Sequence, residues 1–176
     1  MNMITYGRLL LLIGLFGIIH SCQWEANKKL QSETALNTKG ISLINYDDDE
    51  MIDAIKTART TFHEFESFID DSDDRYFAIK IGILYPGGKE HLWVADVVKE
   101  DSVYYGRVDN QPEYTDKVKL NDIIAIPKNI ISDWMVIENN QIIAGGYTLK
   151  LIRNRMTPEE QKAFDEESQL IFDSVK

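Results

Sequence analysis

The side chains best suited to binding or converting a small molecule are His91, Asp133, Trp134 and Tyr147. A histidine can exchange protons near neutral pH. Asp133 could accept hydrogen bonds from a ligand that stacks on Trp134. We favour a structural alternative, in which Asp133 bonds backbone N–H groups of a turn and Trp134 packs in the core. Asp96 is five residues from His91 on one predicted strand, and an odd separation places the two side chains on opposite faces, so no His–Asp pair is expected.

Metal and nucleophile patterns are weak. The acidic runs at residues 47–50 and 70–74 lack the ligand spacing of a calcium-binding EF-hand loop, and we interpret them as a helix start and a solvated turn. The histidines do not form a zinc pattern such as His-Glu-x-x-His. Gly145 and Gly146 precede a predicted helix where an anion could bind, but tight packing explains them and is favoured. Ser132 has no adjacent histidine in the sequence. We therefore predict no metal, no cofactor and no catalytic residue.

Cys22 is the chain's one cysteine, and it follows an apolar run at residues 9–19. The run has 11 residues, whereas a membrane-spanning helix needs roughly 20. It is typical of a secretory leader, and Ile19, Ser21 and Cys22 resemble the lipobox of bacterial lipoproteins. The resemblance implies cleavage after Ser21 and acylation of Cys22. An ordinary cleaved signal or an uncleaved anchor is the alternative.

The charge of the chain limits its partners. It has 19 Lys and Arg against 29 Asp and Glu, a formal net charge of −10. Nucleic-acid binding is not expected without a basic surface to meet the phosphates. An acidic surface keeps a protein soluble and also suits a basic protein partner.

The residue after Cys22 is Gln23, not Asp. By resemblance to the sorting of enterobacterial lipoproteins, this favours the outer membrane as the location of the protein.

The hydrophobic patterning predicts a signal peptide (1–21), a polar tether (22–39) and one α+β domain (40–176). Apolar residues at steps of three and four predict a single long helix over 47–70. β-Branched and aromatic runs predict an antiparallel sheet of about five strands, over 77–85, 91–98, 102–108, 118–126 and 130–137, followed by a turn at 139–140 and a short strand at 141–144. Helices are predicted over 147–154 and from 158 to about 173, the second opened by the capping box of Thr157 and Glu160.

Residues 77–160 resemble a bacterial family, the domain of unknown function 2314. The resemblance rests on an ordered set of motifs: residues 90–94 (EHLWV), Gly106 with Asn110 and Pro112, residues 131–135 (ISDWM), 145–148 (GGYT) and 156–160 (MTPEE). Residues 121–122 depart from the family pattern at one turn. The resemblance implies a small α+β domain and assigns no activity.

We therefore expect a lipid-anchored envelope protein whose domain binds another protein and is not an enzyme. One specific hypothesis is an immunity-type inhibitor that neutralises an antibacterial toxin, because charge steers a basic partner towards an acidic domain. A second is a structural or assembly lipoprotein that docks through an exposed sheet face. A third is an enzyme or small-ligand binder, and it requires His91, Asp133, Trp134 and Tyr147 to converge on one pocket.

Overall fold

The computed structural model describes residues 48–71 and 75–172. These residues form an α+β fold with one six-stranded antiparallel sheet, in the order β4-β3-β2-β1-β5-β6, and four α-helices. The strands are β1 Tyr76–Tyr85, β2 Gly88–Glu100, β3 Val103–Val108, β4 Ile123–Ile126, β5 Ile131–Glu138 and β6 Gln141–Gly145. The short strand predicted at 141–144 is present as β6 and pairs with β5, so the sheet has six strands where about five were expected.

The single long helix predicted over residues 47–70 is wrong. The structure has two helices, α1 Asp49–Thr60 and α2 Phe62–Ile69, separated at Thr61. The hydroxyls of Thr60 and Thr61 donate to carbonyls one turn back, those of Lys56 and Thr57. Such side-chain bonds compete with the helical ladder and bend it.

The two C-terminal helices are α3 Tyr147–Asn154 and α4 Pro158–Ser168. The predicted capping box is confirmed: Thr157 Oγ1 accepts from Glu160 N, and Glu160 Oε2 accepts from Thr157 N. Helix α4 is shorter than predicted, because Gln169 adopts a left-handed conformation with φ 55° and ends it.

Helices pack on both faces of the sheet, because successive strand residues point to opposite sides and both sets include apolar side chains. On the α1–α2 face, Phe62 and Phe65 pack against the strands. The strand residues buried on this face include Phe77, Ile79, Ile81, Leu92, Val94, Tyr104, Trp134 and Val136. On the α3–α4 face, a smaller cluster consists of Ala78, Trp93, Ala95, Met135, Ile142, Leu149, Phe164 and Leu170.

The leader, Cys22, the tether and the start of the predicted domain at residue 40 lie outside the described residues. Among the residues that are described, no helix is both long and apolar enough to cross a membrane.

Candidate functional site

Helix α1 closes the sheet where β6 stops. Strand β6 pairs only with the second half of β5, from Met135 onward. Along the first half of β5, Arg59 Nε donates to the carbonyl oxygen of Ile131 at 2.7 Å, and Trp134 Nε1 donates to that of Ala58 at 2.8 Å. The helix thus satisfies polar groups at this edge of the sheet.

A cavity of about 610 Å³ lies between α1 and the beginning of β2. We call it the α1–β2 groove, and it is lined by Ile52, Ile55, Lys56, Arg59, Thr60, Lys89 and His91. Its volume is in the range of small-molecule sites. Of the four residues singled out from the sequence, His91 is the one that lines it.

A β-bulge positions His91. Lys80 pairs with Asp133 and Ile81 pairs with Ile131, so Ser132 is left over in β5. Ser132 Oγ lies 2.8 Å from His91 Nδ1 and 3.3 Å from the carbonyl oxygen of Lys80. The side chain of Ser132 is buried, so its hydroxyl orients the imidazole ring and is not placed to attack a substrate.

The groove keeps His91 neutral. Burial, followed by the positive charges of Lys80, Lys89 and Arg59, lowers the pKa of His91 from 6.5 to about 3. Gly82 stands opposite His91 on β1 and leaves room for the groove side chains. A Cβ at this position would lie 2.7 Å from Lys89 Cδ and 3.3 Å from His91 Cε1. The ring therefore acts at neutral pH as a hydrogen-bonding group in a positive field.

Asp133 is fully buried and holds the start of α3. Its carboxylate accepts from the backbone N–H groups of Trp134 (2.8 Å), Tyr147 (3.2 Å) and Thr148 (2.8 Å), and from Thr148 Oγ1 (2.6 Å). Burial raises the pKa of Asp133, opposed by the positive charge of Lys80 and by these hydrogen bonds. The structural interpretation of Asp133 therefore agrees with its contacts.

Trp134 and Tyr147 pack together on the α1–α2 side, with ring centroids 5.9 Å apart and nearly perpendicular planes. Trp134 is fully buried. Because Trp134 and His91 point to opposite faces of the sheet, the four residues singled out from the sequence do not converge on one pocket. The small-ligand hypothesis in its four-residue form therefore does not agree with the structure.

The two glycines before α3 serve packing. Both have positive φ, 73° at Gly145 and 71° at Gly146. A Cβ on Gly145 would lie 2.1 Å from the carbonyl oxygen of Trp134, which accepts from Gly146 N at 2.7 Å. The favoured packing explanation accounts for Gly145.

Asp96 belongs to a different cluster from His91. Strand β2 has an irregular register between Ala95 and Val98, and Asp96 has a positive φ of 52° there. Arg107 bridges Asp96 at 3.0 Å and the buried Asp109 at 2.6 Å. The expectation that His91 and Asp96 do not pair agrees with these contacts.

Sequence reasoning missed Lys80, which is almost fully buried and stands 4.8 Å from the ring centroid of Trp93. The position of Lys80 inside an otherwise apolar strand could have indicated that its side chain is buried. It also missed Glu90, which accepts from the backbone N–H groups of residues 113, 114 and 115 and anchors the loop before β4. Nothing in the local pattern around Glu90 indicated that role.

Within residues 48–71 and 75–172, no group of three or more His, Cys, Asp and Glu side chains is arranged to hold a metal ion.

The sequence profile of a family described as "Uncharacterized protein conserved in bacteria (DUF2314)" matches residues 48–172, well over half of the chain. The chain belongs to the DUF2314 family. The DUF2314 match confirms the resemblance found in residues 77–160 and adds α1 and α2 to the domain.

Two curated relatives are similar to this DUF2314 chain. The "Uncharacterized protein YegJ" of Escherichia coli (strain K12) is 36% identical over 104 residues, covering 59% of this chain and 67% of YegJ. The "Putative ankyrin repeat protein NMB1133/NMB1171" of Neisseria meningitidis serogroup B is 34% identical over 76 residues. That match covers 43% of this chain and 30% of the relative, so the chain spans less than a third of that protein. No solved structure matches the chain.

Proposed function

We propose that this DUF2314 protein is a lipid-anchored component of the bacterial cell envelope whose domain binds another protein and has no catalytic role. The observation that supports protein binding is an exposed apolar surface on the sheet. We call this surface the open face and define it by Val98, Val103, Tyr105, Ile123 and Ala125.

Register places these side chains together. Val98 pairs with Tyr105 and Tyr105 with Ala125, so the three share one side of the sheet. Val103 lies two residues before Tyr105, and Ile123 two before Ala125, so both share that side as well. Val98, Val103 and Ile123 are 51%, 38% and 69% exposed. Contiguous exposed apolar side chains on a soluble domain are typical of an interaction surface.

Acidic side chains surround the open face. Glu100 pairs with Val103, and Asp101 and Asp122 are exposed in the connections before β3 and β4. Arg107, which pairs with Ile123, is already engaged by two carboxylates. An apolar centre with an acidic rim complements a basic protein, and we propose an antibacterial toxin as its class, which makes this protein an immunity-type inhibitor.

The anchor is the second part of the proposal. Acylated Cys22 would hold the domain at the membrane, with outer-membrane location following from Gln23, and residues 23–39 would separate the domain from the lipid. An assembly lipoprotein would use the same open face. The two roles differ in the partner recovered, which is a toxin in the first and an envelope component in the second.

Partner capture from envelope extract, with the products of neighbouring genes as candidates, tests the proposal. We expect Ile123→Arg to lose a partner that the wild type retains, because a positive charge is placed in the apolar centre against a basic surface. Leu84→Arg is the matched control, since Leu84 is also an exposed aliphatic residue, 63% exposed, but lies at the other end of the sheet. Equal retention by both variants would contradict binding through the open face.

A further inference from the structure

The α1–β2 groove is separate from the open face and has a different chemistry. Among the described residues that line it are three cationic side chains, Lys56, Arg59 and Lys89, and no carboxylate. Such a concentration is notable in a chain whose formal net charge is −10. Cations gathered in a cleft focus a positive potential and attract anions.

We propose that the α1–β2 groove binds a small organic oxyanion, with Lys56, Arg59 and Lys89 holding the charged group and Ile52 and Ile55 contacting an aliphatic part of the ligand.

The geometry allows the cations to act together. Arg59 is fixed by the bond from its Nε to the carbonyl oxygen of Ile131, and a guanidinium has further N–H groups to offer a ligand. Lys56 is one helical turn before Arg59 on α1, and Lys89 reaches the groove from the opposite wall on β2. An oxyanion between the walls can therefore meet cations from both sides.

His91 adds a neutral hydrogen-bonding group at the end of the groove. Its Nδ1 lies 2.8 Å from Ser132 Oγ. The Ser132 hydroxyl donates to the carbonyl oxygen of Lys80 at 3.3 Å, so it accepts from Nδ1–H, and Nε2 of the neutral ring is left as an acceptor for a hydroxyl of the ligand. The low pKa of His91 is consistent with a positive potential in the groove, and a bound anion would raise that pKa.

The apolar side of the groove selects the rest of the ligand. Ile52 is 48% exposed on α1 although it is a large aliphatic residue, and Ile55 lies three residues further on the same helix face. A short aliphatic chain attached to the oxyanion would cover these side chains. The observations therefore favour an aliphatic carboxylate or phosphate ester over a bare inorganic ion.

The test follows the Cε1–H resonance of His91 in the full-length protein by NMR, during titration with sodium phosphate, acetate or hexanoate at constant ionic strength. We expect a saturable shift with each probe, and tighter binding of hexanoate than of acetate. His63, exposed on α2, is the internal reference and should not shift with the probes. A response that sodium chloride reproduces, or the absence of a saturable response, would overturn the proposal.

Substitutions separate the two halves of the site. Lys89→Glu and Lys56→Glu should each weaken phosphate binding about tenfold or more, because each removes a charge-assisted contact. Ile52→Asn should weaken hexanoate binding and leave phosphate binding unchanged. Lys119→Glu, the same charge change in the connection between β3 and β4, is the control. An equal loss in Lys119→Glu would show long-range attraction only and would overturn the site.

These outcomes are independent of the open face. Ile123→Arg should bind phosphate and hexanoate as the wild type does, so failure of the partner experiment and failure of the groove experiment can be told apart.

Discussion

Individual polar side chains fasten the elements of this domain to one another. The carboxylate of Asp133 accepts hydrogen bonds from three backbone N–H groups, two of them at the start of α3. The carboxylate of Glu90 accepts three from the loop before β4. Hydrogen bonds to a charged partner are about twice as strong as neutral ones. Asp133 therefore has a structural role, and His91, in the groove, is the one residue of the original four that is placed to meet a ligand.

The pH dependence of stability should report His91. The pKa of His91 falls from 6.5 to about 3 on folding. Between these two pH values the unfolded chain therefore binds a proton that the folded protein does not bind. The contribution of His91 to stability is complete above pH 6.5 and is lost as the pH falls from 6.5 towards 3, by up to about 1.4 kcal/mol per pH unit. The free energy of unfolding, measured with urea across this pH range, should depend less steeply on pH for His91→Gln than for the wild type. His63→Gln, the same substitution at an exposed position, is the control, and equal pH dependence of unfolding in His91→Gln and the wild type would refute the assignment.

Two tyrosines should respond to loss of the hydroxyl in opposite directions. Tyr76 Oη is buried with no hydrogen-bond partner among the described residues, so Tyr76→Phe should raise the free energy of unfolding by about 1 kcal/mol. Tyr104 Oη donates to Glu66 Oε1 at 2.7 Å, so Tyr104→Phe should lower it by about 1–2 kcal/mol. Chemical denaturation of both variants measures the two signs. Destabilisation of similar size in both would mean that Tyr76 has a partner in solution.

The elements meet where their backbones need special conformations. On the side away from β1, the first half of strand β5 has no strand neighbour, and α1 occupies that position. At the junction of β6 and α3, Gly145 lies too close to Trp134 for any side chain. The residue pair 145–146 thereby fixes the position of α3, and with it the backbone N–H groups that Asp133 binds.

Alanine substitutions at this junction should separate steric clash from backbone strain. Gly145 and Gly146 have nearly the same positive φ, but the atoms nearest to a Cβ at Gly146 belong to the side chains of Ile142 and Lys150, at 3.4 Å or more. We expect Gly146→Ala to cost about 1–2 kcal/mol, the cost of a left-handed backbone. Gly145→Ala should cost several kcal/mol in total, because the clash with the Trp134 carbonyl is added. Thermal or urea unfolding that ranks the two equally would contradict the steric argument.

Viewed as a whole, the molecule separates its charges. The net charge is −10, the open face has an acidic rim, and the α1–β2 groove concentrates cations. The two surfaces lie on different parts of the sheet, beside β4 and beside α1 respectively. The proposed protein partner and the proposed anion would therefore not compete, since neither surface uses residues of the other.

The proposed anchor is tested at this scale. Cys22→Ser removes the thiol that would be acylated, so the protein should move from the membrane fraction to the soluble fraction. Ile123→Arg, expected to lose the protein partner, should remain in the membrane fraction. Cys22→Ser protein that stays with the membrane would refute lipid anchoring, and loss of both variants from the membrane would indicate attachment through the partner.

Local patterns in the sequence were sufficient for much of the fold. β-Branched and aromatic runs, turn residues and the capping box of Thr157 predicted the antiparallel sheet and the start of α4, because those features depend on neighbours within a few residues. The ordered motifs likewise indicated the family, which the match over residues 48–172 confirmed. The division at Thr61 was missed, since apolar spacing continues through it and only side-chain bonds to the helix backbone bend the chain.

The sites depended on the tertiary structure. A bulge at Ser132, 41 residues from His91, orients the imidazole ring, and α1 brings Arg59 to the carbonyl oxygen of Ile131, 72 residues away. By itself the sequence determined most of the elements, the acidic charge and the presence of one cysteine, Cys22, after the apolar run. Register and edge packing decided which cations meet in the groove and which apolar side chains stay exposed, because both depend on contacts between distant segments that local periodicity does not encode.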